Sequence, residues 1–319
     1  METCVKKTLH KAVLNLKHMT NLAQLAIIIL IGSALGAGFY MTPESNNFQN
    51  TRLSNETLYP DSKTTSSTGN SNSEGISSDK SGSGIGGGSI KGDCMAGTKA
   101  LPIYNVDMAS KNSEDTKKYV SLSFDAAWGA DDTIQILDIL DKYNVKVTFF
   151  MTGGWVENFP DMVKEIHKRG HDLGNHSQNH KQMSKLTAEE QKKEIMSVSE
   201  TIKNLTGYDA FLFRPPYGDY NAALIKTTYG CNHYPIQWSV DSLDWKDYGV
   251  ENIIKTVTKH KALKNGAIIL MHNGAKFTAP ALENVITTLQ SEGYTLVPIS
   301  ELIIRENFHM NADGTQVAD

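Results

Sequence analysis

This 319-residue chain has few cysteines, no net positive charge and no internal sequence repeat. Its three cysteines, Cys4, Cys94 and Cys231, are too few for a disulfide framework; unpaired thiols and a single Cys94–Cys231 bridge both stay open. The formal net charge is −4 and no basic patch stands out, which argues against nucleic acid as a partner. These features exclude a small disulfide scaffold, a repeat protein and a nucleic-acid-binding module.

One long apolar run lies near the N-terminus. Residues 22–41 contain only two strongly polar side chains and are long enough to span a bilayer as a transmembrane helix. Four lysines and a single acidic residue precede this run. By the positive-inside rule, we expect residues 1–21 to be cytoplasmic and the rest of the chain to be exported, anchored in the cell membrane by a single span. A secreted protein with a cleaved signal peptide is the alternative, because the small residues at 34–38, within this run, could suit a signal peptidase.

A polar linker follows the apolar run. Residues 42–98 include a stretch, 64–89, that is almost entirely Ser, Thr, Gly and Asn, without apolar periodicity. Such a sequence cannot bury enough apolar surface to offset its ordering entropy, so we expect a flexible, disordered tether. The remaining chain divides into one globular domain at residues 99–305 and a C-terminal tail at 306–319.

Within the globular domain, short β-rich runs alternate with helical stretches. The expected strands are 119–125, 145–152, 171–176, 210–214, 233–240, 267–272 and 294–299, with a short edge strand at 101–106. The helices between them include 132–143, 187–205, 251–262 and 280–292, and another bracketed by Pro160 and Gly170. Apolar strands that alternate with helices indicate a parallel sheet covered by helices. We therefore expect an α/β fold, a distorted (β/α) barrel of about seven parallel strands.

Ionisable side chains recur where the expected strands end. Asp125, His176, Arg214 and His272 each close a strand, and Asp241 follows another. Active sites of barrels of this kind lie at the C-terminal ends of the strands. We therefore expect these five side chains to meet in one active site.

The residue types suggest metal-assisted hydrolysis. His176 and His180 are four residues apart, a spacing that lets two imidazoles bind one metal ion. Asp125 is the candidate general base, and Arg214 is placed to orient it through a bidentate ion pair. An aspartate beside His272, for which Asp241 is the candidate, would favour the protonated ring and make it a general acid.

Four motifs now resemble a known family. They are His-Ser-Gln-Asn-His at 176–180, Arg-Pro-Pro-Tyr-Gly at 214–218, Asp-Ser-Leu-Asp-Trp at 241–245 and Leu-Met-His at 270–272. With Phe-Asp-Ala-Ala-Trp-Gly at 124–129, they resemble the five-motif signature of polysaccharide deacetylases with the NodB homology domain, carbohydrate esterase family 4, of the Gram-positive peptidoglycan deacetylase type. The resemblance covers residues 101–304.

The resemblance implies a role for each matched residue. The implied catalytic base is Asp125, oriented by Arg214, and the implied catalytic acid is His272, tuned by Asp241. His176 and His180 would bind a divalent metal, zinc by default, although cobalt, nickel or manganese suits the same ligands. The implied substrate-binding residues are Tyr217, whose backbone N–H would stabilise the oxyanion, and Trp245 and Leu270, which would line the pocket for the acetyl methyl group.

One position departs from the family pattern. The first motif of the family carries two adjacent acidic residues, the second of which is a metal ligand, and here that position is Ala126. Asp131 and Asp132 follow closely, but we expect them to cap the next helix. Three outcomes are open: an enzyme with a loosely held ion, an enzyme that uses a different metal, or a pseudoenzyme.

The leading hypothesis is therefore a membrane-anchored, extracytoplasmic deacetylase of peptidoglycan amino sugars, N-acetylglucosamine or N-acetylmuramic acid. Its partners would be a cell-wall glycan, or a chitin-like oligosaccharide, and the membrane. The alternative, prompted by Ala126, is a catalytically weak or inactive glycan-binding pseudo-deacetylase.

Overall fold

The computed structural model describes residues 100–319. The expected membrane anchor at 22–41 and linker at 42–98 lie outside these residues, as does Cys94. Within residues 100–319, no helix is both long enough and apolar enough to cross a membrane.

A mostly parallel sheet forms the centre of the described domain, as the strand–helix alternation predicted. Its strands are β1 (Asn105–Val106), β2 (Lys118–Ala126), β3 (Thr148–Met151), β4 (Asp172–Asn175), β5 (Leu212–Phe213), β6 (Tyr234–Pro235), β7 (Val240–Asp241), β8 (Ala267–His272), β9 (Tyr294–Leu296), β10 (Phe308–Met310) and β11 (Thr315–Ala318). Six of them lie side by side in the order β8-β2-β3-β4-β5-β6, and every neighbouring pair in this row is parallel. The α/β class is thus confirmed.

The sheet curves into a half-barrel. Residues 234–241 form β6, the strand at one end of the six-stranded row, and then β7, which pairs with β8 at the other end. The expected strand at 233–240 is therefore two short strands. The predicted edge strand at 101–106 shortens to β1, which pairs antiparallel with β8, while Ile103 forms an isolated bridge with Ile236.

Helices cover the sheet: α1 (Met108–Lys111), α2 (Thr133–Lys142), α3 (Gly153–Asn158), α4 (Pro160–Lys168), α5 (Ala188–Thr206), α6 (Ala222–Gly230), α7 (Val250–Thr258), α8 (Thr278–Ser291) and α9 (Ile299–Leu302). Their ends follow local sequence signals. The Thr187 hydroxyl and the Glu190 carboxylate form a capping box at the start of α5, and Gly207 ends that helix in the left-handed conformation with φ 77°. The predicted Pro160 start of α4 is also observed.

The C-terminal segment belongs to the sheet. Residues 306–319 were expected to be a tail, but β10 and β11 pair with each other and β11 pairs parallel with β1. The Gln316 side chain is buried and exchanges hydrogen bonds with both backbone groups of Ile304. The folded domain therefore extends past residue 305.

Strand packing brings the polar motif residues to one edge of the sheet. From Ala267 to Met271 strand β8 is buried, because helices and neighbouring strands cover both of its faces. His272, at its C-terminal end, is partly exposed. Since parallel strands end at the same edge, this is also the edge at which Asp125 and Asn175 lie.

Candidate active site

Eight of the nine predicted site residues line a single cavity at this edge. The cavity has a volume of about 410 Å³ and is lined by Asp125, Ala127, Trp128, His176, His180, Tyr217, Trp238, Asp241, Trp245, Leu270 and His272. The ninth, Arg214, lies completely buried behind Asp125. Asp125 and His272 are direct register partners on β2 and β8, so the candidate base and acid lie side by side.

A buried ion pair holds Asp125. Arg214, just after β5, donates from Nη1 to Asp125 Oδ1 at 2.7 Å and from Nη2 to the Ser123 hydroxyl at 2.8 Å. Its guanidinium lies 4.1 Å from the centroid of the Phe150 ring. Burial alone would raise the pKa of Asp125, but the charges of Arg214, His176 and His272 outweigh it and hold the pKa below its ordinary value. Asp125 is therefore ionised at neutral pH and can accept a proton.

His272 is oriented by Asp244 and not by Asp241, which corrects the sequence prediction. Its Nδ1 lies 2.7 Å from Asp244 Oδ1, and its backbone N–H donates to Asp244 Oδ2 at 2.7 Å. Asp241 instead accepts a hydrogen bond from the backbone N–H of Leu243, a residue with φ 55°. This left-handed turn carries the chain away from Asp241 and brings the completely buried Asp244 under the imidazole.

The Asp244 contact governs the protonation of His272. Burial alone would lower the pKa of His272, but the hydrogen bond and the charge of Asp244, with smaller contributions from Asp125 and Asp241, raise it above the ordinary value. A carboxylate on Nδ1 also leaves Nε2 to face the cavity. His272 is therefore placed to present a transferable proton.

The loop that carries the two histidines is fixed by its own hydrogen bonds. Ser177 and His180 have positive φ angles of 66° and 51°, and the His180 N–H donates to the Ser177 hydroxyl at 3.0 Å. The buried Glu194 on α5 accepts from both the backbone N–H and the side-chain amide of Asn179, each at 2.8 Å. These contacts hold His176 and His180 with their ring centroids 5.0 Å apart.

The hydrogen bonding of His176 selects its tautomer. Nδ1 lies 2.7 Å from the carbonyl oxygen of Arg214, which can only accept, so Nδ1 carries the proton. Nε2 is then an acceptor and lies 3.5 Å from Asp125 Oδ2. Burial lowers the pKa of His176 to about 4, against the opposing charge of Asp125, and burial also lowers the pKa of His180. Both rings are neutral at pH 7, the form in which imidazole binds a metal.

A metal ion would find only two histidine ligands here. Ala126 is completely buried and has no donor atom. Within residues 100–319, no group of three His, Cys, Asp or Glu side chains is arranged to hold a metal ion. Catalytic zinc sites use three protein ligands, so the residues present fit a weakly held ion whose coordination is completed by water.

The predicted substrate-binding residues lie around the mouth of the cavity. Tyr217 has φ 61° in the short 3₁₀ turn Pro216–Gly218, and its ring centroid lies 4.6 Å from that of His180. Its side chain and that of Trp245 are more than half exposed, whereas Leu270 is buried in the wall.

Sequence reasoning missed three residues of this site, Asp244, Trp238 and Trp128. The signal for Asp244 was present, because the motif at 241–245 contains two aspartates. Trp128 is three residues after Asp125, and its ring lies 5.9 Å from that of His272. The helix-capping role expected of Asp132 is wrong: its carboxylate accepts the backbone N–H of Gly274 and makes no cap bond to α2.

An ionised carboxylate and a carboxylate-oriented imidazole, side by side in one cavity at the strand ends of an α/β half-barrel, define a general acid–base hydrolase site. The polysaccharide deacetylase family profile matches residues 112–234. This chain belongs to that family of hydrolases, which act on carbon–nitrogen bonds other than peptide bonds.

Named relatives support the assignment. The chain is 32% identical over 202 residues to the peptidoglycan-N-acetylmuramic acid deacetylase PdaA of Bacillus subtilis, covering 61% of this chain and 74% of PdaA. It is 37% identical over 188 residues to the peptidoglycan-N-acetylglucosamine deacetylase PgdA of Listeria monocytogenes. That match covers 59% of this chain but only 39% of PgdA.

Solved structures include a relative that is described as a pseudoenzyme. A pseudoenzyme of carbohydrate esterase family 4 from Bacillus anthracis is 31% identical, with a TM-score of 0.60 over 65% of this chain and 70% of that one. A mutant of the same pseudoenzyme has restored enzymatic activity, and this chain is 32% identical to it, with a TM-score of 0.59 over 65% of this chain and 73% of that one.

Proposed function

We propose that this protein removes N-acetyl groups from amino sugars of the cell wall, N-acetylglucosamine or N-acetylmuramic acid in peptidoglycan. The observation that carries the proposal is the pairing of Asp125, held ionised by Arg214, with His272, held by Asp244, across one strand pair. The names of the relatives, peptidoglycan deacetylases, support the substrate class.

The reaction uses the two groups in turn. Asp125 Oδ2 accepts a proton from a water molecule as the water oxygen attacks the acetamide carbonyl carbon. His272 Nε2 then donates its proton to the amide nitrogen as the carbon–nitrogen bond breaks. The products are acetic acid, which loses its proton to solvent as acetate, and a free amino sugar. The proton on Asp125 then passes through solvent to Nε2 of His272, so that both groups return to their starting states. The Tyr217 backbone N–H and the wall formed by Trp245 and Leu270 would hold the oxyanion and the acetyl methyl group.

A divalent ion is part of this proposal. His176 and His180 would hold it through their neutral imidazoles, and zinc is the default for such ligands, with cobalt, nickel and manganese as alternatives. When bound, the ion would supply Lewis-acid polarisation of the amide carbonyl. With two protein ligands, we expect its affinity to be lower than in a three-ligand centre.

A second candidate function is glycan binding without turnover. It is favoured by Ala126, which removes a carboxylate ligand, and by the similarity to a pseudoenzyme. Against it, both partners of each charged pair are present and in contact, Arg214 with Asp125 and His272 with Asp244. Burying charged groups costs free energy of folding, so their presence at the cavity favours a catalytic role.

We propose that the domain acts outside the cytoplasm, tethered to the membrane through residues 22–41 and the linker at 42–98. The apolar run, the lysines before it and the location of a cell-wall substrate support this. Membrane fractionation of producing cells, followed by protease accessibility of the C-terminal domain, tests it. Release of the domain into the medium would instead indicate signal cleavage.

Acetate release tests the enzymatic proposal. The protein is stripped of metal and assayed on peptidoglycan and on N-acetylglucosamine oligomers, with zinc, cobalt or manganese restored separately, beside an Ala126→Asp variant. We expect metal-dependent release by the parent and tighter metal retention by the variant. Release by Ala126→Asp alone would refute the enzymatic proposal and favour the binding function.

A further inference from the structure

Trp128 is a large apolar side chain that is exposed to solvent at the active site. It is 57% exposed, yet it lines the same cavity as Asp125 and His272. Its ring plane is tilted by 40° to the His272 imidazole. The ring is thus neither part of the core nor a remote surface residue, and it forms one side of the cavity mouth.

The backbone beneath Trp128 is rigidly held. The carbonyl oxygen of the next residue, Gly129, accepts from the Trp155 indole at 3.2 Å and from the Asn273 side-chain amide at 2.9 Å. Asn273 is completely buried, and its Oδ1 accepts the Thr133 hydroxyl at 2.8 Å. Its backbone N–H donates to the Asp125 carbonyl at 3.0 Å. One buried amide therefore links the Trp128 loop to the strand ends that carry the base and the acid.

This combination is typical of a preformed contact surface. A flexible exposed tryptophan would lose conformational freedom on binding, whereas a ring on a fixed backbone loses little. Tyr217 and Trp245, which line the same cavity, expose further aromatic surface. The mouth thus offers flat apolar faces at a site whose polar chemistry is inside.

We propose that Trp128 is the platform on which a pyranose ring of the glycan packs its apolar C–H face, next to the acetamido group that enters the cavity. This inference rests on the proposed function, since it takes the ligand to be an amino-sugar polymer. Trp128 is a substrate-binding residue in this account. It determines the sugar orientation that brings the amide nitrogen to His272, and it favours oligomers over a monosaccharide.

Calorimetric titration tests the proposal without relying on turnover. N-acetylglucosamine and its oligomers are titrated into the full chain in the presence of a chelator, and into the Trp128→Ala and Trp128→Phe variants. We expect the alanine variant to bind oligomers roughly 3- to 10-fold more weakly, and the phenylalanine variant to retain most of the affinity. Ile134→Ala is the matched control, since Ile134 is also an exposed large apolar side chain but does not line the cavity.

The outcomes separate two failures. If the parent binds oligomers and Trp128→Ala binds them equally well, the platform is refuted while the proposed function stands. If the parent binds no oligomer, the glycan substrate itself is refuted and the platform with it. Unchanged thermal unfolding of Trp128→Ala, expected for an exposed side chain, excludes misfolding as the cause of weaker binding.

Discussion

Replacing Asp244 with asparagine tests how the structure prepares His272 for proton donation. The change keeps the size of the side chain but removes the charge that lies 2.7 Å from His272 Nδ1. A hydrogen bond to a charged group contributes about 1.5–3 kcal/mol, so we expect the rate of deacetylation near neutral pH to fall roughly 10- to 100-fold. Removing the acid altogether with His272→Gln should cost more, since general acid catalysis contributes about 10²- to 10⁴-fold.

The pH dependence of the rate distinguishes a lowered pKa of His272 from a general loss of correctly folded enzyme. Because Asp244 raises the pKa of His272, its loss should move the alkaline limb of the kcat/KM profile to lower pH. Thr278→Val is the control, because it removes a hydroxyl donor to Asp244 at 2.6 Å and leaves the Asp244–His272 contact intact. The reasoning is refuted if Asp244→Asn keeps the parent profile, or if Asp241→Asn shifts the limb more than Asp244→Asn does.

Three further predictions concern stability and preorganisation. Burial lowers the pKa of His171 to about 4, so the unfolded state binds more protons than the folded state between pH 6.5 and 4. The unfolding free energy should therefore fall by about 3 kcal/mol as the pH falls from 6.5 to 4. Chemical denaturation of His171→Asn should show a weaker dependence of the unfolding free energy on pH. Glu194→Gln replaces the charged acceptor of the two Asn179 hydrogen bonds and should lower the unfolding free energy by about 1–3 kcal/mol. The control, Glu189→Gln, changes an exposed glutamate of the same helix and should leave the unfolding free energy unchanged. Equal shifts of the unfolding temperature in the two variants would contradict this prediction. Arg214→Lys cannot make the same pair of contacts with Asp125 and Ser123, so we expect a loss of activity of at least about 10²-fold and a less stable domain, measured by acetate release and calorimetry.

Much of the fold was predictable because each strand–helix unit carries its own periodicity. The fully apolar run at 267–271 identified β8, and the polar residues that ended such runs identified the edge of the sheet that holds the cavity. Short strands were harder to predict: β10 and β11 have only three and four residues, and the pairing of β11 with β1 depends on contacts between opposite ends of the domain.

The site residues that the sequence did not predict depend on backbone conformations that the sequence does not reveal. Leu243 adopts φ 55° without being glycine, and this turn decides which of two aspartates meets His272. Trp128 projects into the cavity because Asn273, far away in sequence, holds the loop through Gly129. Residue identity offered two aspartates for the first role and no candidate for the second, and only the folded chain identifies Asp244 and Trp128.

The most direct test of the account compares the parent with Asp125→Asn on one N-acetylglucosamine oligomer, measuring both binding by calorimetry and acetate release. We predict that the parent binds and releases acetate with restored metal, and that Asp125→Asn still binds but releases acetate at least about 10²-fold more slowly. Equal behaviour of the two proteins, with binding and no turnover in either, would contradict a catalytic role for this site.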